Sequence, residues 1–274
     1  MKLLLWLLFP VLAFAQPATG TLQVTFIDVG QADCILVRQG DDSLLIDAGN
    51  NDDLPLIEDY LQVQKVTRFV AVVATHAHED HIGAMDSIVA SFPIGKIWFP
   101  RQVTTTATYR NFILAVKAKG MVFQNPLPGV SFPLGAALCT FVGPIGDTKD
   151  DLNEGSAVLR IDFGSTSFLF TGDAGKEAEE LMLNGSVPLQ ATVLKVGHHG
   201  SSGSTTASFL RAVKPQVAVI SVGKDNRYGH PSKEVVNRLR KADVELFRTD
   251  QGTVTVVSDG KTVSVTPTYP SRGH

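Results

Sequence analysis

The apolar residues of this chain come in short Val-, Ile- and Leu-rich runs that alternate with amphipathic stretches, so strands and helices interleave. Residues 22–28, 34–38 and 43–46 read as meandering strands punctuated by Gly30, Gly40 and Asp41-Asp42. Residues 52–63 place Leu54, Ile57, Tyr60 and Leu61 behind Asp52-Asp53, the pattern of an amphipathic helix with an acidic first turn. A buried strand over 69–73 follows, then a helix opening at His81-Ile82-Gly83-Ala84-Met85. A strand over 96–99 leads to a helix over 108–119 that Gly120 stops.

The second half repeats this scheme. Residues 157–163 and 167–171 form a hairpin turning at Gly164-Ser165, and Gly172-Asp173-Ala174 leads into a helix over 176–183. Next come a strand over 192–196, a helix over 206–213, a strand over 217–222 and a helix over 233–242, then strands over 244–248, 253–257 and 262–266. The expected architecture is one α/β domain over 20–268, two mixed sheets with helices outside and ligand-bearing loops gathered at one sheet edge.

Composition adds a globular balance, with 274 residues, 44% hydrophobic, 19% charged and a net charge of −3. That field does not attract nucleic acid, so any such substrate needs a local basic patch or bound metal. Arg101, Arg110, Lys117, Lys119, Lys195, Lys224 and Arg227 are the candidates for a basic track. At the N-terminus, Lys2, the apolar run from Leu3 to Phe9 and Ala13-Phe14-Ala15 match a signal peptide over 1–15. The expectation is secretion or periplasmic location after cleavage near Ala15, with no integral membrane anchor. Cys34 and Cys139 sit in apolar strands and read as unpaired core thiols rather than a disulfide.

Candidate chemistry concentrates at strand exits. His76, His78, Asp80 and His81 fall within six residues directly after the 69–73 run. Strand alternation lets His76 and His78 close on one ion, while Asp80 and His81, beyond a turn, reach a second. Asp173 leaves the strand over 167–171 and is either a bridging ligand or the N-cap of the next helix. His198-His199 lie between Gly197 and Gly200, followed by Ser201, and one of the two imidazoles is a ligand. Asn226, Tyr228 and His230 form a third cluster, in which His230 is a proton donor, a phosphate contact or the cap of the helix that follows. Ser201, Asn226 and Tyr228 are the candidate substrate contacts.

His76-x-His78-x-Asp80-His81, with Asp47, Thr171-Gly172-Asp173 and His198-His199, resembles the metallo-β-lactamase superfamily. More narrowly, Phe26-Ile27-Asp28-Val29-Gly30-Gln31-Ala32-Asp33, Leu194-Lys195-Val196-Gly197-His198-His199-Gly200-Ser201 and Tyr228-Gly229-His230-Pro231 resemble the hydrolase domain of ComEC, the competence DNA-uptake channel. The resemblance implies an αββα sandwich with two divalent ions, Zn²⁺ or Mn²⁺. His76 and His78 would hold one ion, Asp80 and His81 the other, with Asp173 bridging. His198 would complete the ligands of the second ion, with His199 as the competing choice, and Asp47 would orient ligands from behind. The superfamily's usual extra His about twenty residues before the bridging Asp is absent here, and Asn153 is the nearest replacement. An amide oxygen is a weaker and harder ligand than imidazole, which weakens the first site and favours Mn²⁺ as a competitor there.

Two divalent charges lower the pKa of a bridging water and polarise a phosphoryl or carbonyl oxygen. Asp80 would orient that water or take its proton, and His230 would protonate the leaving group. The expected activity is phosphodiester hydrolysis, on a small molecule or a nucleic acid, with no protein partner called for. A loop over 143–155 bearing Asp147, Asp150 and Asp151 would disfavour polyanions if it lined the cleft. Alternatives are hydrolysis of small cell-wall phosphoesters such as phosphorylcholine esters, of lactones or of β-lactams, or a secreted metal-binding module without turnover.

Overall fold

The computed structural model describes residues 20–146 and 151–268, so the expected leader over 1–15, with Asp147 and Asp150, lies outside the described residues. The chain first lays down β1 (Leu22–Phe26), β2 (Ile35–Gln39), β3 (Asp42–Ile46), α1 (Leu54–Val63), β4 (Phe69–Val73), α2 (Glu79–Ile82), α3 (Met85–Ser91), β5 (Ile94–Trp98), α4 (Ala107–Ala118) and β6 (Phe123–Gln124). It continues with β7 (Ser131–Leu134), β8 (Ala137–Gly143), β9 (Val158–Phe163), β10 (Thr166–Phe170), α5 (Lys176–Leu183), β11 (Val193–Lys195), α6 (Ala207–Val213), β12 (Val217–Ile220), α7 (Lys233–Lys241), β13 (Glu245–Arg248), β14 (Thr253–Ser258) and β15 (Val263–Thr268).

One sheet has the order β15-β14-β1-β2-β3-β4-β5-β6 and the other β13-β12-β11-β10-β9-β8-β7. The central strands β3, β4, β10, β11 and β12 are covered on both faces, which explains their near-continuous apolar runs. In β3, Leu44 and Ile46 enter the core between the sheets while Leu45 faces the helices; in β10, Phe168 and Phe170 point in and Leu169 out. Phe26 meets Phe170 across the sheets at 6.1 Å between ring centres, and full burial of each such ring contributes roughly 1.5–3 kcal/mol. Ile57, Leu61, Ile88 and Phe112 of α1, α3 and α4 cover the first sheet, and Phe209, Val213, Val235 and Leu239 of α6 and α7 cover the second. The architecture is the expected αββα sandwich.

Three local features differ from expectation. The helix expected to open at His81 is two pieces, broken at Gly83-Ala84. There the backbone N–H groups of Gly83 and Ala84 donate to Gly49 O (2.8 Å) and Ala48 O (3.1 Å) beyond β3. A Cβ on Gly83 would lie 2.1 Å from the Asn50 carbonyl carbon, so glycine is what lets this segment dock. β6 and β7 were not anticipated; both are short edge strands, and β7 carries Pro133. β14 leaves the second half and pairs back onto β1, with Phe26 opposite Val254, and β15 adds to its outer side. Cys34 and Cys139 are both free and buried, one under the helices and the other between the sheets. Among the described residues no helix is long and apolar enough to cross a membrane.

Candidate metal centre

β3–β4 and β10–β11–β12 are parallel sets, so their carboxyl ends emerge together at one edge of the sandwich. The two sheets are tied there by Ala157 N–H donating to Thr75 O at 2.8 Å. Asp47 leaves β3, His76 follows β4, Asp173 follows β10 and His198-His199 follow β11, each within a few residues of its strand end. Thr75, His76, His81, Asp173 and His199 are buried at this edge.

Side-chain geometry fixes which nitrogen of each ring faces the centre. Asp47 accepts from the Thr75 backbone N–H (2.7 Å) and hydroxyl (2.7 Å), and its Oδ2 lies 2.8 Å from His81 Nδ1. His81 Nε2 is thereby turned towards Asp173 Oδ1 at 3.4 Å and Asp80 Oδ2 at 3.7 Å. The Ser221 carbonyl accepts from His199 Nδ1 (2.9 Å), which leaves His199 Nε2 at 3.2 Å from Asp80 Oδ2 and 3.6 Å from Asp173 Oδ2. Anchoring one ring nitrogen on an oxygen frees the other for an ion and raises its basicity. One donor atom each from Asp80, His81, Asp173 and His199 lie within 4.8 Å of one another. His81 Nε2 and Asp173 Oδ1 are buried there without a hydrogen-bond partner. Two orphaned buried atoms of this kind are costly unless a cation satisfies them, so this donor set fits a divalent metal.

His76 Nε2 and His78 Nδ1 come within 3.0 Å, and His76 Nε2 is 3.9 Å from Asp173 Oδ2, so the second pair of rings abuts the same carboxylate. Asn153 sits in the turn before β9 with its Oδ1 buried and unpartnered. The four-donor group contains His199 and not His198. Both residues are left-handed (φ 47° and 50°), and the ring that meets the Ser221 carbonyl goes inward. The His198 side chain stays 32% exposed, with Nε2 3.6 Å from Asp173 Oδ2 and its ring edge-on to His230 at 5.7 Å.

The capping alternatives do not apply. Gly175, not Asp173, is the N-cap of α5, and the Ser232 hydroxyl caps α7 by accepting from Val235 N–H at 3.2 Å, so neither Asp173 nor His230 is used that way. Asn226 is engaged in its own turn: its amide donates to Gly223 O (2.9 Å) and His230 O (2.6 Å), and its oxygen accepts from Tyr228 and His230 N–H. It shapes the turn that presents Tyr228, which is 56% exposed and stacked on His230 at 5.8 Å. Ser201 is half-buried and serves its own loop, its N–H donating to His198 O at 2.8 Å.

The electrostatics follow from four carboxylates, Asp33, Asp47, Asp80 and Asp173, gathered around one ammonium, Lys195. Burial alone would push Asp173 and Asp80 up, but His199 and His81 outweigh it and hold both below the usual carboxylate range. Burial lowers His76, and repulsion from His81 adds to it, so this ring stands neutral. Burial would lower His81 as well, yet Asp173, Asp80 and Asp47 hold it well above its ordinary value. A divalent ion taking His81 Nε2 at neutral pH therefore displaces a proton, and affinity rises with pH. Calorimetric titration at pH 7 should show proton release when the group with His81 takes its ion, seen as a binding enthalpy that scales with buffer ionisation enthalpy; a buffer-independent enthalpy contradicts it.

Several residues that build this edge had either another role in the sequence reading, as Lys195 had in the basic track, or none. Lys195 is 1% exposed, its Nζ 2.6 Å from Asp33 Oδ2 and 2.8 Å from Gly172 O, so it belongs to no surface basic track. Lys119 is likewise engaged with Val89 O. The available signal was Lys195 in alternation with inward-facing Val193. The Ser156 hydroxyl accepts from Asp173 N–H (3.1 Å) and lies 3.4 Å from His76 Nδ1. Gln102 accepts from Ala77 N–H (2.9 Å) and donates to Leu152 O (2.7 Å), pinning the His76–His78 bend to the Asn153 turn.

Comparison with known proteins agrees with this arrangement. The model of the metallo-beta-lactamase superfamily matches residues 27–224. The chain is 28% identical over 270 residues to ComE operon protein 3 of Bacillus subtilis, covering 90% of this chain and 34% of that protein. It is 34% identical over 230 residues to competence protein ComA of Neisseria gonorrhoeae, covering 83% and 31%. The chain thus spans about a third of the length of these relatives. Among solved structures it resembles the metallo-beta-lactamase fold protein YhfI of Bacillus subtilis (TM-score 0.59, 15% identity, 90% of this chain and 100% of that one). It also resembles the metallo hydrolase Igni18 of Ignicoccus hospitalis (TM-score 0.56, 19% identity, 86% and 98%). With the family model spanning both halves of the sandwich and the imidazole–carboxylate edge between them, the chain belongs to the metallo-β-lactamase superfamily.

Proposed function

We propose that the chain is an exported metal-dependent hydrolase of phosphodiesters that works with two divalent ions, Zn²⁺ or Mn²⁺. The observation that carries this reading is the buried group of Asp80, His81, Asp173 and His199, whose donor atoms converge within 4.8 Å. Those four residues would hold one ion, and His76, His78 and Asp173, with Asn153 beside them, the other. When bound, the ions supply Lewis acidity and a nucleophile active near neutral pH. Asp80, held anionic by His81 and His199, is a poor proton acceptor, so its work is to hold and orient. Burial and the neighbouring His198 lower His230, which faces a substrate at pH 7 as a neutral hydrogen-bonding ring. Stacked Tyr228 and His230 offer a flat wall at the mouth of the site. The relative named as a competence protein supports a nucleic-acid phosphodiester as substrate. Export rests on the charged, apolar and small-residue pattern of residues 1–15.

The test is a substrate panel on the purified protein with Mn²⁺ or Zn²⁺: single-stranded DNA, bis-p-nitrophenyl phosphate, phosphorylcholine esters and a cephalosporin. Cleavage of the first two, abolished by chelator, is the expected outcome, and DNA cleavage should weaken with salt. Turnover of the cephalosporin alone overturns the proposal. Metal uptake without turnover of any ester would make the chain a binding module instead.

A further inference from the structure

We propose that Glu179 of α5 and Arg238 of α7 are positioning residues that clamp the loop from Gly197 to Thr205 in the one shape that brings His199 against Asp80 and Asp173. The inference rests on the metal-binding reading above. The loop is conformationally costly. His198, His199, Gly200 and Thr205 all have positive φ (47°, 50°, 81° and 48°), and three of the four are not glycine. For a β-branched residue such as Thr205 the left-handed region is a steric outlier, and such residues persist only where their surroundings over-determine them.

Thr205 meets that requirement through every polar handle it has. Its hydroxyl accepts from Gly197 N–H at 3.2 Å, closing the loop at its base. Its backbone N–H donates to the Glu179 carboxylate, and its carbonyl accepts from the Arg238 guanidinium. The other Glu179 oxygen accepts from Thr206 N–H at 2.8 Å, and Arg238 also donates to Ser204 O at 3.1 Å. The Ser204 hydroxyl donates to Gly197 O at 2.6 Å. An acid and a base from two different helices thus grip adjacent peptide units six and seven positions beyond His199, and the two ends of the loop are laced together. Glu179 is only 1% exposed, and burying a carboxylate is expensive unless it is hydrogen-bonded, as Glu179 is to the Thr205 and Thr206 N–H groups. Burial pushes its carboxyl up to about 7, while the Thr206 and Thr205 N–H donors and Arg238 pull it down.

The test compares the affinity of the mature protein for Zn²⁺, by competition with a chromophoric chelator, in wild type, Glu179→Gln, Arg238→Met, the double variant and Glu177→Gln. Loss of support behind a metal ligand costs roughly ten- to a hundredfold in affinity. Each clamp variant should show that loss, the double variant less than the product of the two, since both act on one loop. Glu177→Gln, exposed on the same helix, should bind as wild type. Circular dichroism at the titration temperature establishes that each variant is folded. A variant that does not fold is replaced by Glu179→Asp or Arg238→Lys, in which partial restoration of affinity is expected. Folded clamp variants that bind Zn²⁺ as wild type does overturn the clamp and leave the metal centre standing. Failure of wild type to bind Zn²⁺ or Mn²⁺ at all overturns the proposed function instead.

Discussion

If the chain hydrolyses phosphodiesters with two ions as proposed, His199→Ala should cost it one ion and lower that hydrolysis roughly a thousandfold, a barrier increase of about 4 kcal/mol, while His198→Ala should keep its metal. The asymmetry comes from where each ring is anchored. His199 is buried, donates through Nδ1 to the Ser221 carbonyl at 2.9 Å and aims Nε2 at Asp80 and Asp173. Without it, Asp80 loses its hydrogen-bonded imidazole and the four-donor group falls to three. His198 has no such anchor; its ring lies at the mouth beside His230, and burial holds it neutral. Its loss should act on substrate handling, as a change in KM of at most about tenfold, of the size of a single lost hydrogen bond. Elemental analysis of dialysed protein and kcat/KM on bis-p-nitrophenyl phosphate check both halves. Equal losses in the two variants, or a metal deficit confined to His198→Ala, would reverse the assignment.

The choice between these neighbours shows what a sequence conveys about such a site. His76, His78, Asp80 and His81 were legible because they are contiguous and follow an apolar strand, so local geometry alone brings them together. Asp173 was legible as a carboxylate at a strand exit, and the residues that cap α5 and α7 in its place and that of His230 each lie two positions away. His198 and His199 are chemically identical and share one backbone region. What separates them is a carbonyl at the end of β12, 22 positions along the chain. Asn226 looked like a substrate contact because a polar side chain in a Gly-containing loop carries no mark of being already used; its amide is consumed by the turn it sits in. The same distinction holds for the fold. Strands covered on both faces announce themselves as apolar runs, whereas the return of β14 to β1 depends on pairing some 230 residues apart and leaves no local trace.

Lys195→Met destabilises the metal-free protein by roughly 3–5 kcal/mol, the cost of leaving a buried charge without its partner. Lys195 Nζ lies 2.6 Å from Asp33 Oδ2, donates to Gly172 O at 2.8 Å and stands 3.9 Å from Asp173 Oδ1. It is the one ammonium among four carboxylates, and methionine keeps its volume but not its charge. Burial would lower Lys195, but Asp33 and then Asp173 raise it above the ordinary lysine value of 10.5. A cation with a raised folded pKa contributes stability that is fully present below the unfolded value and is lost only as pH rises through the folded one. The loss on substitution should therefore be undiminished at every pH from 7 to 9. Two consequences follow from the same charges. Lys195→Met/Asp33→Asn should recover most of the lost stability, because the residual charge is removed along with its partner. Saturating divalent ion should also narrow the gap to wild type, since an ion that binds only the folded chain returns positive charge to the same edge. Urea denaturation in chelator and in excess Zn²⁺ measures both. A Lys195→Met midpoint equal to wild type in chelator would mean that the pair carries no net stability, and a gap that widens with Zn²⁺ would mean that Lys195 serves the centre by holding the Gly172–Asp173 turn rather than by its charge.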